Sequence, residues 1–361
     1  MILKSLQLEN YRNYEFLDLE LSPSIQIFFG RNAQGKTNIL ESIYFSAIGR
    51  SHRTRNDDDL IAWNKNFAKI ELDVESFGVP RKFQFELIRG KTTRLFSNLI
   101  SIRRSELIGR LKTVLFSPED LSLIKGSPAL RRRFLDIELS QSSPRYYRDL
   151  IDYRKIFINR NAVLKQLKDQ PMRKDLIDVL DVLDEQFSNV ASRIVQKRIE
   201  AVKKFSILAQ DFQRSISDSQ ETLSVEYKIH HDVQDVLTWL RKNRQHEIFK
   251  GSTRIGPHRD DLHFSINGFD AKIYSSQGQQ RTIALAVKLA ELEFLKDETY
   301  PILLLDDVMS ELDSTRRRKL LEYLQTKQIQ TMITATDATI FPKDSIDKMF
   351  EVESGKIKEP G

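Results

Sequence analysis

The sequence predicts an α/β fold: a mixed sheet with helices, built from both ends of the chain and interrupted by an inserted, mainly helical unit. Three observations predict it. Gly30 to Thr37 reads GRNAQGKT, which matches the phosphate-loop spacing G-x-x-x-x-G-K-[ST] in full. A continuous apolar run, Ile302 to Leu305, ends in Asp306-Asp307 more than 260 residues later. Between the two, residues 145–213 place apolar side chains at helical spacing.

Ser24 to Phe29 (SIQIFF) reads as a buried strand, and Lys36 to Ile48 as a helix with Ile39, Leu40, Ile43 and Ala47 on one face. A glycine-rich loop in that context aims backbone N–H groups and a helix N-terminus at an anion. Lys36 then reaches the outer phosphates of a nucleotide, and the Thr37 hydroxyl ligates Mg²⁺. Around this unit, residues 1–115 alternate as strands. Leu6 and Leu8, Leu17 to Leu21, Ile70 to Val74 and Phe83 to Leu87 each carry the period of two, with Gly90-Lys91 as a turn.

The middle of the chain changes period. From Leu176 the apolar positions Leu180, Leu183, Phe187, Val190, Ile194, Ala201, Phe205, Leu208 and Phe212 follow a heptad seam broken only at Lys197. An earlier stretch with Leu150, Tyr153, Phe157, Leu164 and Leu167 is set off by Asp169-Gln170-Pro171. The pair reads as an antiparallel helical hairpin over about 145–213, its longer arm spanning ~55 Å at 1.5 Å per residue, with two ordinary core helices of a small domain as the alternative. Strands are expected at 222–231 and 262–273, the latter with a hairpin turn at Asn267-Gly268. Then follow a helix from Gln279 to Leu295, a strand from Pro301 to Asp307, a helix from Ser314 to Leu324, a strand from Thr331 to Thr334, and a last hairpin turning at Ser354-Gly355.

There is no cysteine, which removes disulfides and thiolate metal sites. The N-terminus is an amphipathic strand pattern rather than a signal peptide. No apolar run approaches the ~20 residues that span a bilayer. A soluble, cytoplasmic protein without a membrane partner is expected. The net charge is +6, and residues 101–260 hold 30 Lys and Arg against 22 Asp and Glu. The basic excess thus lies between the two halves of the phosphate site; it suits a polyanionic partner, and a solvated, lysine-rich surface is the alternative reading. Aromatic residues are not interleaved with it, so duplex backbone contact is expected rather than single-strand stacking.

A buried strand in phosphate-loop proteins delivers a carboxylate to Mg²⁺ at its C-terminal end, and Asp306 fits that role. Asp307 then faces the attacking water. Ser276, Gly278 and Gln279 in YSSQGQQRT open a second helix, where exposed N–H groups form another phosphate site. Within one chain that site is redundant, so it is expected to serve the nucleotide of a second subunit. An ordinary serine helix cap is the alternative reading.

The order of phosphate loop, S-x-G-Q loop, apolar run with two aspartates and then SELD resembles the head of an ABC-type ATPase of the SMC branch. LENYRNY at Leu8 to Tyr14, GRNAQGKTNILE from Gly30, RSHR at Arg50 to Arg53, FSPEDLSLIKGSPALRRRFLD from Phe116, GPHRDDL at Gly256 to Leu262, SSQGQQRT and LLLDDVMSELD resemble the RecF family of bacterial recombination mediators from end to end. The resemblance implies an ABC-type P-loop ATPase head, lobe I, at 1–118 and 252–361, with a helical lobe II at 119–251. It implies ATP and Mg²⁺ as cofactors and an ATP-dependent homodimer that sandwiches each nucleotide. It implies binding to double-stranded and gapped DNA, and action with RecR and RecO to load RecA in recombinational repair, replication and the SOS response. A weak, DNA-dependent ATPase working as a switch goes with this.

The residues carried over from the family are Gly30, Arg31, Asn32, Ala33, Gln34, Gly35, Lys36 and Thr37 in the loop. Arg12 and Asn13 are expected beside the nucleotide, Gly278 and Gln279 at the signature loop, and Asp313 as the aspartate after it. Thr37 and Asp306 hold the metal; Lys36, Asp307 and, in trans, Ser276 are catalytic. Three positions depart from the ABC pattern. Asp307 stands where glutamate is usual, Thr336 where the switch histidine is usual, and only Glu119 or Asp120 stands near the place of the Q-loop glutamine. These departures imply slow hydrolysis. Arg131, Arg132 and Arg133 are candidate DNA contacts, beside Ser127-Pro128 as a helix start. His258 lacks partners at metal spacing and reads as structural. The competing function is the nucleotide-binding subunit of an ABC transporter, against which the long basic helical insert speaks.

Overall fold

In the computed structural model, which describes residues 1–76, 78–217, 221–230 and 235–359, the chain divides into two units. One joins Met1–Leu121 to Ala284–Gly361, and the other is Ser122–Ile283. The first is built on a six-stranded sheet in the order Lys356–Lys358, Lys348–Glu353, Ile25–Phe29, Thr331–Ala335, Ile302–Asp306, Thr113–Phe116. All pairings are parallel except that of Lys356–Lys358 with Lys348–Glu353. Parallel strands covered on both faces require near-continuous apolar sequence. IQIFF and ILLLD supply it, and Ile302 to Asp306 is buried at every position.

A second, antiparallel sheet runs Tyr14–Glu20, Ile2–Tyr11, Phe67–Ser76, Val79–Ile88, Arg94–Ser97, Ile100–Ile102. Its alternation puts Leu6, Leu8, Ile70, Leu72, Phe83 and Phe85 in the core. The helix Lys36–Ile48 packs on the parallel sheet, and its Phe45 ring meets Phe85 of the antiparallel sheet edge-on at 5.8 Å. Both sides of this helix are therefore buried, beyond the single face expected from the sequence.

The second unit holds the helices Pro128–Ser142, Pro144–Asp169, Lys174–Ile216 and Val236–Lys250 beside a three-stranded sheet. The hairpin appears as the 26-residue helix Pro144–Asp169 and the 43-residue helix Lys174–Ile216. At 1.5 Å per residue the longer arm is about 65 Å, more than expected. The boundary expected at 251/252 lies instead at 283/284. The cause is strand pairing: Asp261–Ile266 is zipped to Leu223–Lys228, so the segment after residue 252 stays with the helices. The strand expected at 222–231 is Leu223–Lys228, and its expected last residue, His231, lies outside the described residues. The strand expected to run to 273 stops at Asp270, whose carboxylate accepts from the Lys272 N–H and caps a helical turn, Ala271–Tyr274.

The seam break at Lys197 has a structural counterpart one residue on. Arg198 is buried, donating to the Tyr146 hydroxyl at 2.9 Å, the Pro257 carbonyl at 2.8 Å and Asp136 at 2.7 Å. Arg160 is fully buried and bonded to Asp184, Thr253 and Glu247 at 2.7, 2.7 and 2.6 Å. Each buried guanidinium needs such partners, since an unpaired charge in the core costs several kcal/mol. The GPHRDDL segment supplies part of this framework. The Tyr153 hydroxyl lies 2.6 Å from His258 Nδ1, and Asp260 accepts from the Tyr227 hydroxyl at 2.5 Å and the His230 N–H at 2.9 Å. No described helix is long and apolar enough to cross a membrane.

Candidate nucleotide-binding site

The Ile25–Phe29 strand ends in a loop whose backbone turns left-handed at Gly30 (φ 146°), Ala33 (φ 62°) and Gly35 (φ 116°), and Lys36 then begins the helix. Arg31, Asn32 and Ala33 are exposed at the loop crest, whereas Gly35 and Lys36 are buried. The Lys36 ammonium donates to the Gly30 carbonyl at 2.7 Å and the Arg31 carbonyl at 2.8 Å, so it lies across the loop. Burial lowers its pKa, and the nearby Asp307 and Asp306 carboxylates oppose that shift.

Thr37 and Asp306 meet as the sequence predicts. The Thr37 hydroxyl donates to Asp306 Oδ1 at 2.9 Å. The same oxygen accepts from the Thr334 hydroxyl at 2.7 Å, and Thr334 Oγ1 accepts the Asp307 N–H at 2.9 Å. Asp307 leaves the strand with φ 54°, a conformation that non-glycine residues rarely adopt. Ser310 donates to the Asp307 carbonyl at 2.9 Å. Thr334 was not singled out by sequence reasoning. The apolar strand TMITA carries two hydroxyls, Thr331 and Thr334, and the sequence does not say which of them meets a carboxylate.

Arg12 and Asn13 sit beside the loop but with their polar groups already engaged. Arg12 forks onto Glu41 at 2.9 and 2.7 Å and donates to the Asp59 carbonyl at 2.8 Å. Burial works to raise the Glu41 pKa, but hydrogen bonds from Arg12 and Ser51 outweigh it and hold the carboxyl below its usual value. Arg53, of RSHR, donates to Asn38 at 2.8 Å and lies 3.5 Å from Glu41. Asn13 donates to the Gln34 carbonyl at 2.9 Å. Asp120 accepts the Ser117 N–H at 2.8 Å and pairs with buried Lys288 at 3.1 Å, which leaves Glu119 as the exposed carboxylate of the two. Thr336 is exposed just past its strand.

Ser276, Gly278 and Gln279 lie in the second unit, where the helix Gln277–Leu295 begins. Ser276 Oγ accepts the Gln279 N–H at 3.2 Å and Gln279 Oε1 accepts the Ser276 N–H at 2.9 Å, a reciprocal capping box. Gln279 also donates to Glu221 at 2.9 Å. Asp313 caps the helix Ser314–Thr326 by accepting from the Arg316 N–H at 2.9 Å.

The arginine triplet needs correction. Arg131 is buried and forks onto Asp261 at 2.8 and 2.7 Å, with a third bond to the Gly126 carbonyl at 2.9 Å. Arg132 donates to the Asp260 carbonyl at 2.8 Å, and burial lowers its pKa. Only Arg133 is exposed. Two of the three therefore hold the helix Pro128–Ser142 to the 260–261 segment. Helical geometry turns consecutive residues about 100° apart, so one face goes inward.

Oxygen donors from one hydroxyl and one carboxylate suit Mg²⁺, which takes one or two protein oxygens and fills its octahedron with phosphate and water. Among the described residues no group of three or more His, Cys, Asp or Glu stands together to hold a metal ion by itself.

Residues 2–358 match the family model described as the RecF/RecN/SMC N terminal domain. The chain is 41% identical over 371 residues to the DNA replication and repair protein RecF of Clostridium perfringens (strain SM101 / Type A), covering 99% of this chain and 100% of that protein. It is 43% identical over 375 residues to the protein of the same name from Staphylococcus carnosus (strain TM300), with the same coverage. Its fold is similar to a structure described as the recombination mediator protein RecF-ATP in the RecFOR pathway. The TM-score is 0.92 at 32% identity, covering 100% of this chain and 98% of that one.

Proposed function

The chain belongs to the RecF/RecN/SMC N-terminal domain family, in its RecF branch, and from this we propose an ATP-dependent DNA-binding protein of replication and recombinational repair. The observation that carries the nucleotide half is the 2.9 Å bond between Thr37 and Asp306, 269 residues apart in sequence. It joins the phosphate loop to the acidic strand end at one point. ATP lies with its phosphates in the Gly30–Thr37 loop. Lys36 leaves the Gly30 and Arg31 carbonyls to meet the outer phosphates, and Thr37 and Asp306 hold Mg²⁺, which offsets phosphate charge. Asp307 orients or deprotonates the attacking water. With a carboxylate one methylene shorter than glutamate, and Thr336 in place of a histidine, hydrolysis is slow and acts as a timer.

In this reading Ser276, Gly278 and Gln279 meet the nucleotide of a second copy, and Asp313 lies at the same junction. The ATP-bound dimer holds duplex DNA near single-strand gaps through backbone contacts, including Arg133, and hydrolysis releases it. Work with RecR and RecO to promote RecA loading, in the cytoplasm, completes the proposal; the RecFOR description of the structural relative supports it. The transporter alternative is not favoured, because the matched relatives are DNA repair proteins along their whole length.

Sedimentation with and without ATP, repeated with a DNA duplex, tests the whole reading. A dimer that appears with ATP, binds duplex with steep salt dependence, and is lost in Lys36→Ala is expected. A Lys36→Ala protein that still dimerises with ATP overturns it.

A further inference from the structure

Two segments far apart in sequence grip the carbonyl side of the phosphate loop. The Gln34 carbonyl accepts from Asn13 Nδ2 at 2.9 Å and from the Gly355 N–H at 3.1 Å. The next carbonyl, of Gly35, accepts from the Tyr14 hydroxyl at 3.1 Å. Gln34 Oε1 accepts the Ser354 N–H at 2.6 Å and its hydroxyl at 3.2 Å. Asn13 is held in turn by Asn38, which donates to its Oδ1 at 2.7 Å from the first turn of the helix. The fit is close on both sides. A Cβ on Gly35 would lie 2.6 Å from Asn13 Nδ2 and 2.9 Å from the Tyr14 hydroxyl. One on Gly355, where φ is 74°, would press on the Asn13 carbonyl oxygen.

A peptide plane carries its N–H and C=O on opposite sides. Fixing the carbonyls of Gln34 and Gly35 outward therefore turns the N–H groups of Gly35 and Lys36 toward the concave side of the loop. A carbonyl swung inward would put negative charge where phosphate must lie. We propose that Asn13 and the Ser354–Gly355 turn are positioning residues of the nucleotide site, coupling the terminal hairpin, residues 348–358, to phosphate binding. This inference rests on the ATP-binding reading above and gives Asn13 a role other than touching the nucleotide. Its amide nitrogen is spent on Gln34 and its amide oxygen on Asn38. Linkage makes the coupling reciprocal: what the turn does for the nucleotide, the nucleotide does for the turn.

The test measures ATP affinity in the full chain for the unmodified protein, Gly355→Ala, Gln34→Met and the double variant. It also measures hydrogen exchange across 348–358 with and without ATP. Gly355→Ala and Gln34→Met should each weaken ATP binding about tenfold. The double variant should be no weaker than the poorer single one, because both act by loosening the same turn from the loop. ATP should slow exchange in 348–358 of the unmodified protein and leave it unchanged in Gly355→Ala. Asn13→Ala, which removes a donor without adding atoms, gives the same affinity reading if Gly355→Ala fails to fold. Folded variants with unaltered ATP affinity, penalties that multiply in the double variant, or exchange in 348–358 indifferent to ATP overturn the coupling. An unmodified protein that binds no ATP overturns the nucleotide reading itself, and the coupling with it.

Discussion

Thr334 and Asp306 stand side by side on adjacent parallel strands, joined by a 2.7 Å hydrogen bond from the threonine hydroxyl to Oδ1. The threonine thereby orients one carboxylate while its oxygen receives the backbone N–H of the next, Asp307. Thr334→Val keeps the shape and removes both bonds. Stability should fall by about 1–2 kcal/mol, the usual cost of a lost buried hydrogen bond. ATP hydrolysis should fall about tenfold while ATP affinity changes little, since the effect falls on orientation for chemistry. Single-turnover kinetics alongside equilibrium binding separates the two. An unchanged rate reduces Thr334 to packing.

Asp307→Asn should slow hydrolysis about 100-fold and leave ATP binding intact, as expected for loss of a general base or water-orienting group. The ATP-bound dimer should persist correspondingly longer in sedimentation. A variant that hydrolyses normally moves the role to Glu119, the exposed carboxylate nearby in sequence to Asp120.

Ser276→Arg removes the capping-box oxygen at the start of the Gln277–Leu295 helix, at a cost of about 1 kcal/mol, and adds bulk and charge to the loop. The monomer should keep ATP but lose ATP-driven dimerisation and hydrolysis. Mixed with Lys36→Ala, it forms one composite site with both defects and one with neither, so partial recovery of ATPase is expected. Loss of ATP binding by the monomeric variant contradicts action in trans.

Arg131→Ala should act on the fold rather than on DNA. It leaves half-buried Asp261 without its forked partner, and losing hydrogen bonds to a charged group of this kind costs about 1.5–3 kcal/mol. A lower melting temperature with an unchanged salt slope for duplex binding is expected, whereas Arg133→Ala should show the reverse. A reduced salt slope in a still-folded Arg131→Ala protein contradicts the structural assignment.

His258 gives the second unit a pH dependence. Burial, reinforced by the charge of Arg259, pushes its pKa down from 6.5 to about 4. The unfolded chain therefore binds the proton between those values while the folded chain does not. Stability is fully present above pH 6.5 and falls as the pH drops toward 4. His258→Asn, whose amide can take the place of Nδ1 beside Tyr153, should flatten the fall. Urea midpoints at pH 5 and pH 7.5 in both proteins check this, and parallel curves refute it.

What the sequence made legible is what local chemistry encodes. The strand, loop and helix from Ile25 to Ile48 stand at the residues expected, because a buried parallel strand and a glycine-punctuated turn each leave a pattern within a few residues. Asp306 was legible because an apolar run ending in a carboxylate is itself local. The bonds of Thr334 and the contact of Gln34 with Ser354 were not, because they depend on partners 27 to about 320 residues away and on which lone pair meets which donor. Arg131 misled for the same reason: three arginines in a row look like a basic patch, and only Asp261, 130 residues on, shows where the first one points. Arg160 and Arg198 sit inside a helical pattern whose apolar seam gave no hint that cations share the core.

The strand that leads into the phosphate loop has Thr331–Ala335 on one side and Lys348–Glu353 on the other. Both neighbours are made some 300 residues after it. At 5–20 residues per second, about 300 residues and some 15–60 s separate the birth of IQIFF from that of its first partner. Through that interval an apolar strand with two open edges waits on the ribosome, a standing hazard for aggregation and a natural client for a chaperone. A chain that stops short of Thr331 lacks both strands that flank the one leading into the loop. Competence to hold a nucleotide thus waits on synthesis through Glu353.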